Sequence, residues 1–309
     1  MMKKLKILTY IFAFFLVLNA NAQNQIAITI DDLPFVQELS LKHAEESTEK
    51  LLAKIKKNGI RAVGFVNEKS AIRLGEIDDR VAMLERWLFN GNQLGNHTFS
   101  HVSFNIKSIE DFKTELLKGE VITSELNRKY GETKKYFRYP FLHTGPDSLK
   151  KYGFQKILAE QGYVNAPVTI EADDWYFNKV YMDAMKAGKK ELMKTIAEKY
   201  LKHNNDYFDY YLKLTNEVVG RPIKHIFLCH ANALNADYFD ELCKVMIDKG
   251  FTFISLDEAL TDEIYKHKDT VLTTGGFPWL HRWRMTDKKK TTLKEIEIPA
   301  DIKALYEKK

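Results

Sequence analysis

The stretch Gln25-Ile26-Ala27-Ile28-Thr29-Ile30-Asp31-Asp32-Leu33-Pro34 decides the fold. An apolar run of strand length delivers two adjacent carboxylates to the edge of a core, and His97-Thr98-Phe99-Ser100-His101 later supplies two imidazoles within reach of one ion. Two histidines and a carboxylate, with a second carboxylate left over, are the parts of a hydrolytic zinc site. Adjacent strand residues point to opposite faces, so both acids can serve one ion only where the strand ends, and Leu33-Pro34 supplies the turn. Each piece alone reads more plainly, Asp-Asp as a solvated turn and His-x-x-x-His as a pair on a helix surface.

Outward from this stretch, apolar runs of strand length alternate with amphipathic runs of helical length, the rhythm of an α/β sheet or barrel. Strands are expected at Ile26 to Ile30, Ala62 to Val66, Gln93 to Asn96, Tyr136 to Arg138, Tyr163 to Val168, Ile226 to Cys229 and Phe251 to Ile254. Helices are expected at about Ala44 to Lys57, Asp79 to Phe89, Ile109 to Tyr130, Pro146 to Gln161, Tyr238 to Asp248 and Asp257 to Lys266. Gly59, Gly91, Gly131, Gly162 and Gly250 each fall just past such a run, where a left-handed cap belongs. Asp31, Asp32, His97, Arg138, Asp174 and His230 all lie at or beyond the C-terminal end of a candidate strand, the face that holds the active site in parallel barrels. Residues 176–224 break the rhythm with a helical stretch near Met182 to Tyr211, read as an insertion over one side of the site.

Length and charge set the frame. The chain has 309 residues, 45% of them hydrophobic, enough for one large core and one catalytic domain. Lys3, Lys4 and Lys6, the apolar run Ile7 to Leu18 and the small residues Ala20-Asn21-Ala22 read as a signal peptide over 1–22, with the mature domain from 23 to 309. The apolar run is shorter than the roughly 20 residues of a spanning helix, so no stable membrane span is expected after cleavage. Removing the leader takes the formal charge from +5 to +2, which excludes nucleic acid as the natural partner. Cys229 and Cys243 are too few for a disulfide framework, and they read as two small buried hydrophobes in preference to a bridge.

Three further segments complete the chemistry: Phe137-Arg138-Tyr139-Pro140-Phe141, Asp173-Asp174-Trp175 and Phe227-Leu228-Cys229-His230. With Thr29-Ile30-Asp31-Asp32-Leu33-Pro34 and His97-Thr98-Phe99-Ser100-His101, this ordered set resembles the polysaccharide deacetylase family, the carbohydrate esterases sharing the NodB homology domain. The resemblance covers about residues 24–260. It implies a distorted (β/α) barrel of about seven parallel strands. It also implies an exported, periplasmic or secreted enzyme that removes N-acetyl groups from the amino sugars of a glycan. Asp32, His97 and His101 would hold the metal, zinc by ligand type, although cobalt, nickel or manganese suit the same donors. Asp31 would be the base and His230 the acid, with Arg138 holding Asp31 and Asp174 orienting His230. An arginine beside Asp31 is expected to keep it ionised, and a carboxylate beside His230 to favour imidazolium. The backbone N–H of Phe141 would stabilise an oxyanion, and Trp175 and Leu228 would wall the acetyl pocket.

Leu33, Phe141, Glu171 and Ala231 depart from the family's commoner residues, and they touch recognition more than chemistry. An O-acetyl esterase acting on a polysaccharide such as xylan uses the same residue set, and a catalytically silent carbohydrate-binding protein keeps the same fold. Tyr176, Phe177, Trp279 and Trp283 are aromatic candidates for stacking on sugar rings. Gly275-Gly276-Phe277-Pro278-Trp279 reads as a turn that folds back across the barrel mouth, and His143, just after the Arg138 segment, is the histidine without a role nearest the chemistry.

Overall fold

Isoleucine at alternate positions gives Asn24–Leu33 (β1) one face that packs on helices, and Ala27, Thr29 and Asp31 fall on the other. The computed structural model describes residues 24–171 and 173–308, so the leader at 1–22 lies outside the described residues. β1 is the central strand. With it stand Val63–Val66 (β2), Gln93–Asn96 (β3), Lys135–Phe137 (β4), Tyr163–Asn165 (β5), Ile170–Glu171 (β6), Lys224–His230 (β7) and Phe251–Ile254 (β8). Every pairing is parallel, in the order β5-β4-β3-β2-β1-β7-β6, and β8 joins β1 at its start. This is the distorted (β/α) barrel expected from the sequence, with helices outside and a small inner core of Ala27, Val63, Phe65, Tyr136, Ala166 and Ile226.

The expected strand at Tyr163 to Val168 is divided. Its first part pairs with β4; Ala166 N–H still donates to Phe137 O, whereas Thr169 N–H donates to Ile226 O and β6 pairs with β7. One segment therefore changes partners midway and closes the barrel. The chain bends at Pro34, where the turn is expected. β1 continues to Leu33, the register against β2 shifts between Ile30 and Leu33, and Asp32 takes a φ of 66°. A bulge, and not the end of the strand, turns the second carboxylate toward the first.

The helix expected over Ile109 to Tyr130 is two, Ile109–Lys118 and Val121–Lys129. At the break, a Cβ on Gly119 would meet Phe99 N and Thr98 C at 2.7 Å, so the loop bearing the two histidines presses directly on this glycine. The five expected glycine caps all have positive φ. Cys229 and Cys243 are buried free thiols, so no bridge links them. Within 176–224 lie most of Asp174–Lys186 and the 30-residue helix Lys190–Val219, which bury Ile196, Tyr200, Phe208 and Leu214 in the main core.

Adding a side chain at the helix break tests the contact. Gly119→Ala should lower stability by about 1–3 kcal/mol, the usual cost of overpacking, read as a lower urea midpoint at unchanged slope. An unchanged midpoint would show that the histidine loop yields freely.

Candidate active site

Strand alternation places Asp31 inside the barrel, where it is buried at 2% exposure. Arg138, fully buried at the end of β4, lies with Nη1 3.3 Å from each Asp31 oxygen. Its Nη2 donates to Thr29 Oγ1 at 2.8 Å, its Nε donates to Ala166 O at 2.8 Å, and its guanidinium lies over the Phe65 ring. Burial pushes Asp31 up to about 6, with the arginine opposing it. Desolvation outweighs the ion pair in setting the direction of the shift, yet at about 6 Asp31 is left mostly ionised at neutral pH.

The two histidines come from a loop and not from a helix face. Thr98 and His101 have φ of 67° and 52°, and the loop is held by Thr98 N–H to Asn96 Oδ1 at 2.8 Å and by Ser100 N–H to Glu115 Oε2 at 2.8 Å. His97 Nδ1 lies 2.8 Å from the Arg138 carbonyl, a partner that only an N–H can satisfy, so Nε2 presents its lone pair. That Nε2 is 3.7 Å from Asp32 Oδ1, and His101 Nε2 is 3.4 Å from the same oxygen. Burial pushes both imidazoles down to about 4, which keeps them neutral. Burial alone would raise Asp32, but His101, His230, His97 and the Asn67 amide together hold it below the usual carboxylate range. The donor atoms of Asp32, His97 and His101 lie within 4.8 Å of one another. Two neutral nitrogens and one carboxylate oxygen at that spacing fit a divalent transition metal.

His230, at the end of β7, faces the same space. Its Nδ1 is 2.7 Å from Asp174 Oδ1, and Asp174 Oδ2 accepts from His230 N, Asn232 Nδ2 and Asn235 Nδ2 at 2.8, 2.9 and 2.6 Å. Tyr200 Oη donates to Asn235 Oδ1 at 2.7 Å, which ties the long helix Lys190–Val219 to this cluster. Although burial works against the charged form, the Asp174 carboxylate raises His230 to about 10.

A cavity of about 530 Å³ joins these groups, lined by Asp31, Asp32, His97, His101 and His230 together with Phe141, Trp175 and Leu228. Phe141 and Trp175 are 52% and 44% exposed at its mouth, whereas Leu228 is buried in its wall. Phe141 has a φ of 56°, and its ring lies against His101. Of the aromatic candidates for sugar stacking, Phe177, Trp279 and Trp283 are buried core, and Tyr176 is stacked on Tyr306. The Gly275–Trp279 turn does reach the mouth: Gly276 lines the cavity, and a Cβ there would collide with Phe141 O.

Five residues join the site without having been given a role in it. Asn67 Nδ2 donates to Asp32 Oδ1 at 2.6 Å, and an asparagine just past a candidate strand was the only signal for it. Asn232 caps the helix Ala233–Asp248, and its Asn-x-x-Asn spacing to Asn235 was the legible cue for both. Glu171 lines the cavity and is pushed up to about 8 by burial and by Asp173. His143 also lines the cavity, with Nδ1 2.8 Å from Ser103 Oγ.

A family model described as polysaccharide deacetylase matches residues 19–157. A peptidoglycan-N-acetylglucosamine deacetylase of Bacillus cereus is 26% identical over 151 residues, 49% of this chain and 46% of that protein. A chitin deacetylase of Colletotrichum lindemuthianum is 26% identical over 163 residues, 53% of this chain and 58% of that protein. The chain thus spans about half the length of the curated relatives it matches. The solved structure of the chitin deacetylase from the fungal pathogen Colletotrichum lindemuthianum superposes with a TM-score of 0.51 at 24% identity, covering 78% of this chain and 88% of that one. A mutant of a carbohydrate esterase family 4 pseudoenzyme with restored enzymatic activity gives 0.51 at 16% identity, covering 77% and 68%. Both likenesses concern the fold.

Two variants separate holding a metal from positioning its ligand. His97→Ala should abolish stoichiometric zinc binding, whereas Asn67→Ala should weaken it by about 10–100-fold, measured by competition with a chelator. Equal affinity in Asn67→Ala and the parent would mean that the amide does not orient Asp32. A raised folded-state pKa contributes stability in full below the ordinary value of 6.5, and that contribution is lost as pH rises through about 10. In the metal-free protein Asp174→Asn should return His230 toward its ordinary titration, followed by imidazole proton resonances, and flatten this alkaline loss. An unmoved resonance would remove Asp174 as the cause.

Proposed function

We propose that this chain is a member of the polysaccharide deacetylase family, whose model matches residues 19–157, and that it hydrolyses N-acetyl groups of amino sugars in a glycan, using a metal held by Asp32, His97 and His101. The observation that carries this reading is geometric: Asp31, 3.3 Å from Arg138 through both oxygens, and His230, 2.7 Å from Asp174, face one cavity beside the three donors, with Asp31 pushed up only to about 6 and His230 up to about 10. A general base must be ionised and a general acid protonated at one working pH, and this pair meets both needs near neutrality.

Zinc, when bound, would polarise the acetyl carbonyl and lower the pKa of a water. Asp31 takes the proton of the attacking water, held in orientation by Arg138 against both of its oxygens. His230 gives its proton to the departing amine nitrogen as the C–N bond breaks, and Asp174 keeps that imidazolium charged and aimed through Nδ1. Acetate and a free amino sugar result. The Phe141 backbone N–H supports the developing oxyanion, and Leu228 and Trp175 border the space for the acetyl methyl. An amine is a poorer leaving group than an alcohol, so a strongly supported acid at His230 favours the acetamide over the O-acetyl ester. Among the described residues no helix is long and apolar enough to cross a membrane, and the leader composition of 1–22 supports export to the periplasm or medium.

Acetate release from N-acetylglucosamine oligomers and from acetylated xylan, side by side, tests the proposal. Release from the oligomers is expected, with Asp31→Asn retaining zinc and losing about 100-fold or more in kcat. Release from xylan alone would move the activity to ester hydrolysis. Release from neither, with zinc bound, would leave a binding protein.

A further inference from the structure

His143 lines the catalytic cavity but takes no part in the hydrolysis, and three segments of the chain converge to hold it. It directly follows the short helical turn Pro140–Leu142, which carries Phe141 into the mouth. Its Nδ1 is 2.8 Å from Ser103 Oγ, and that hydroxyl also accepts from Asn105 N–H at 3.2 Å. Asn105 Nδ2 in turn donates to Thr274 O at 2.7 Å, which ties the Ser103 loop to the Gly275–Trp279 turn. From that turn Gly276 closes on the ring: a Cβ there would stand 3.4 Å from His143 Cδ2. The Phe141 ring covers another side, its centroid 5.4 Å from that of the imidazole. So much support fixes the direction in which the ring can bond.

One imidazole nitrogen is bonded and the other is not. Nε2 has no hydrogen-bond partner among the described residues, and it is not one of the enclosed polar atoms, so it meets the open space of the cavity. Burial, with His101 adding to it, holds the imidazole below its ordinary value and so neutral. A neutral ring offers at Nε2 either an N–H or a lone pair, according to what the Ser103 hydroxyl takes at Nδ1. A hydroxyl, donor and acceptor at once, satisfies both forms, whereas a carbonyl or an ammonium satisfies only one. Its place points to the same ligand. Phe141 stands between His143 and the metal ligand His101, its ring centroid 4.4 Å from that of His101, so Nε2 stands beside the sugar unit whose acetamide meets the metal.

We propose that His143 is a specificity-determining residue whose Nε2 hydrogen-bonds a hydroxyl of the sugar unit that carries the acetamide, with Ser103 as the residue that positions it. This rests on the deacetylase reading and deepens it, because it assigns recognition of the sugar to a residue outside the hydrolytic set. Calorimetric titration of the zinc-loaded Asp31→Asn protein, which binds without turnover, tests it with two probes. Triacetylchitotriose brings sugar hydroxyls; acetohydroxamate brings an acetyl methyl and a zinc-chelating group but no sugar. His143→Ala should weaken triacetylchitotriose by about 3–10-fold, the worth of one hydrogen bond, and Ser103→Ala by less. His143→Gln, which keeps a donor and an acceptor near the position of Nε2, should stay within about twofold of the parent. Acetohydroxamate and zinc should bind all three variants as they bind the parent. A loss below about twofold in His143→Ala would overturn the inference. An equal loss for acetohydroxamate would overturn it too, because His143 would then act on the metal site. Triacetylchitotriose failing to bind the parent while acetohydroxamate binds would remove the amino-sugar reading and this inference with it, whereas binding that His143→Ala leaves intact removes this inference alone.

Discussion

The buried guanidinium of Arg138 is the constraint on which the rest depends. A fully enclosed cation survives only if its charge is answered and its N–H groups are bonded, and here the answers come from three parts of the barrel. Asp31 and Thr29 come from the central strand, Ala166 O from the segment that changes partners, and the Phe65 ring from the second strand. The carbonyl of Arg138 itself fixes the tautomer of His97. One side chain thus joins the closure of the barrel, the orientation of the base and the lone pair of a metal ligand.

Burial around that cation sets the electrostatics of the site. Desolvation lowers His97 and His101, which keeps them in the neutral form that ligation requires, and it raises Asp31, against which Arg138 works to keep the carboxylate ionised. His230 moves against desolvation because Asp174, bonded four times over, is held as a carboxylate beside it. Two carboxyl–cation pairs of similar make-up are therefore both charged at neutral pH, but by different margins. In the first the acid is pushed up toward neutrality, and in the second the base is pushed far above it.

Backbone strain collects at the same place. Asp32, Thr98, His101, Phe141 and Asp173 all have positive φ although none is glycine. Such residues cost of order 1–3 kcal/mol each and persist only where their surroundings over-determine them. The surroundings are visible: Asn67 on Asp32, Asn96 and Glu115 on the histidine loop, and Tyr207 on Asp173 at 2.9 Å. Gly119 and Gly276 lend the close approach that these loops need.

The alternation of Ile26, Ile28 and Ile30 with Ala27, Thr29 and Asp31 fixed the inward carboxylate, and glycine after each helical run fixed the caps; both are local rules that a sequence states outright. The grouping of Asp32, His97, His101, Arg138, Asp174 and His230 at strand ends was legible for the same reason, because parallel strands present their C-terminal ends on one face. Other features depend on residues far apart in the chain. The partner change within 163–171 needed both β4 and β7 in place, and the burial of Phe177, Trp279 and Trp283 needed the long helix Lys190–Val219 and the C-terminal segment packed around them. Asn67 became part of the site only through a bulge in another strand. Asp31 lies near 6 despite Arg138 because desolvation sums over every atom that excludes water, and only the tertiary structure performs that sum.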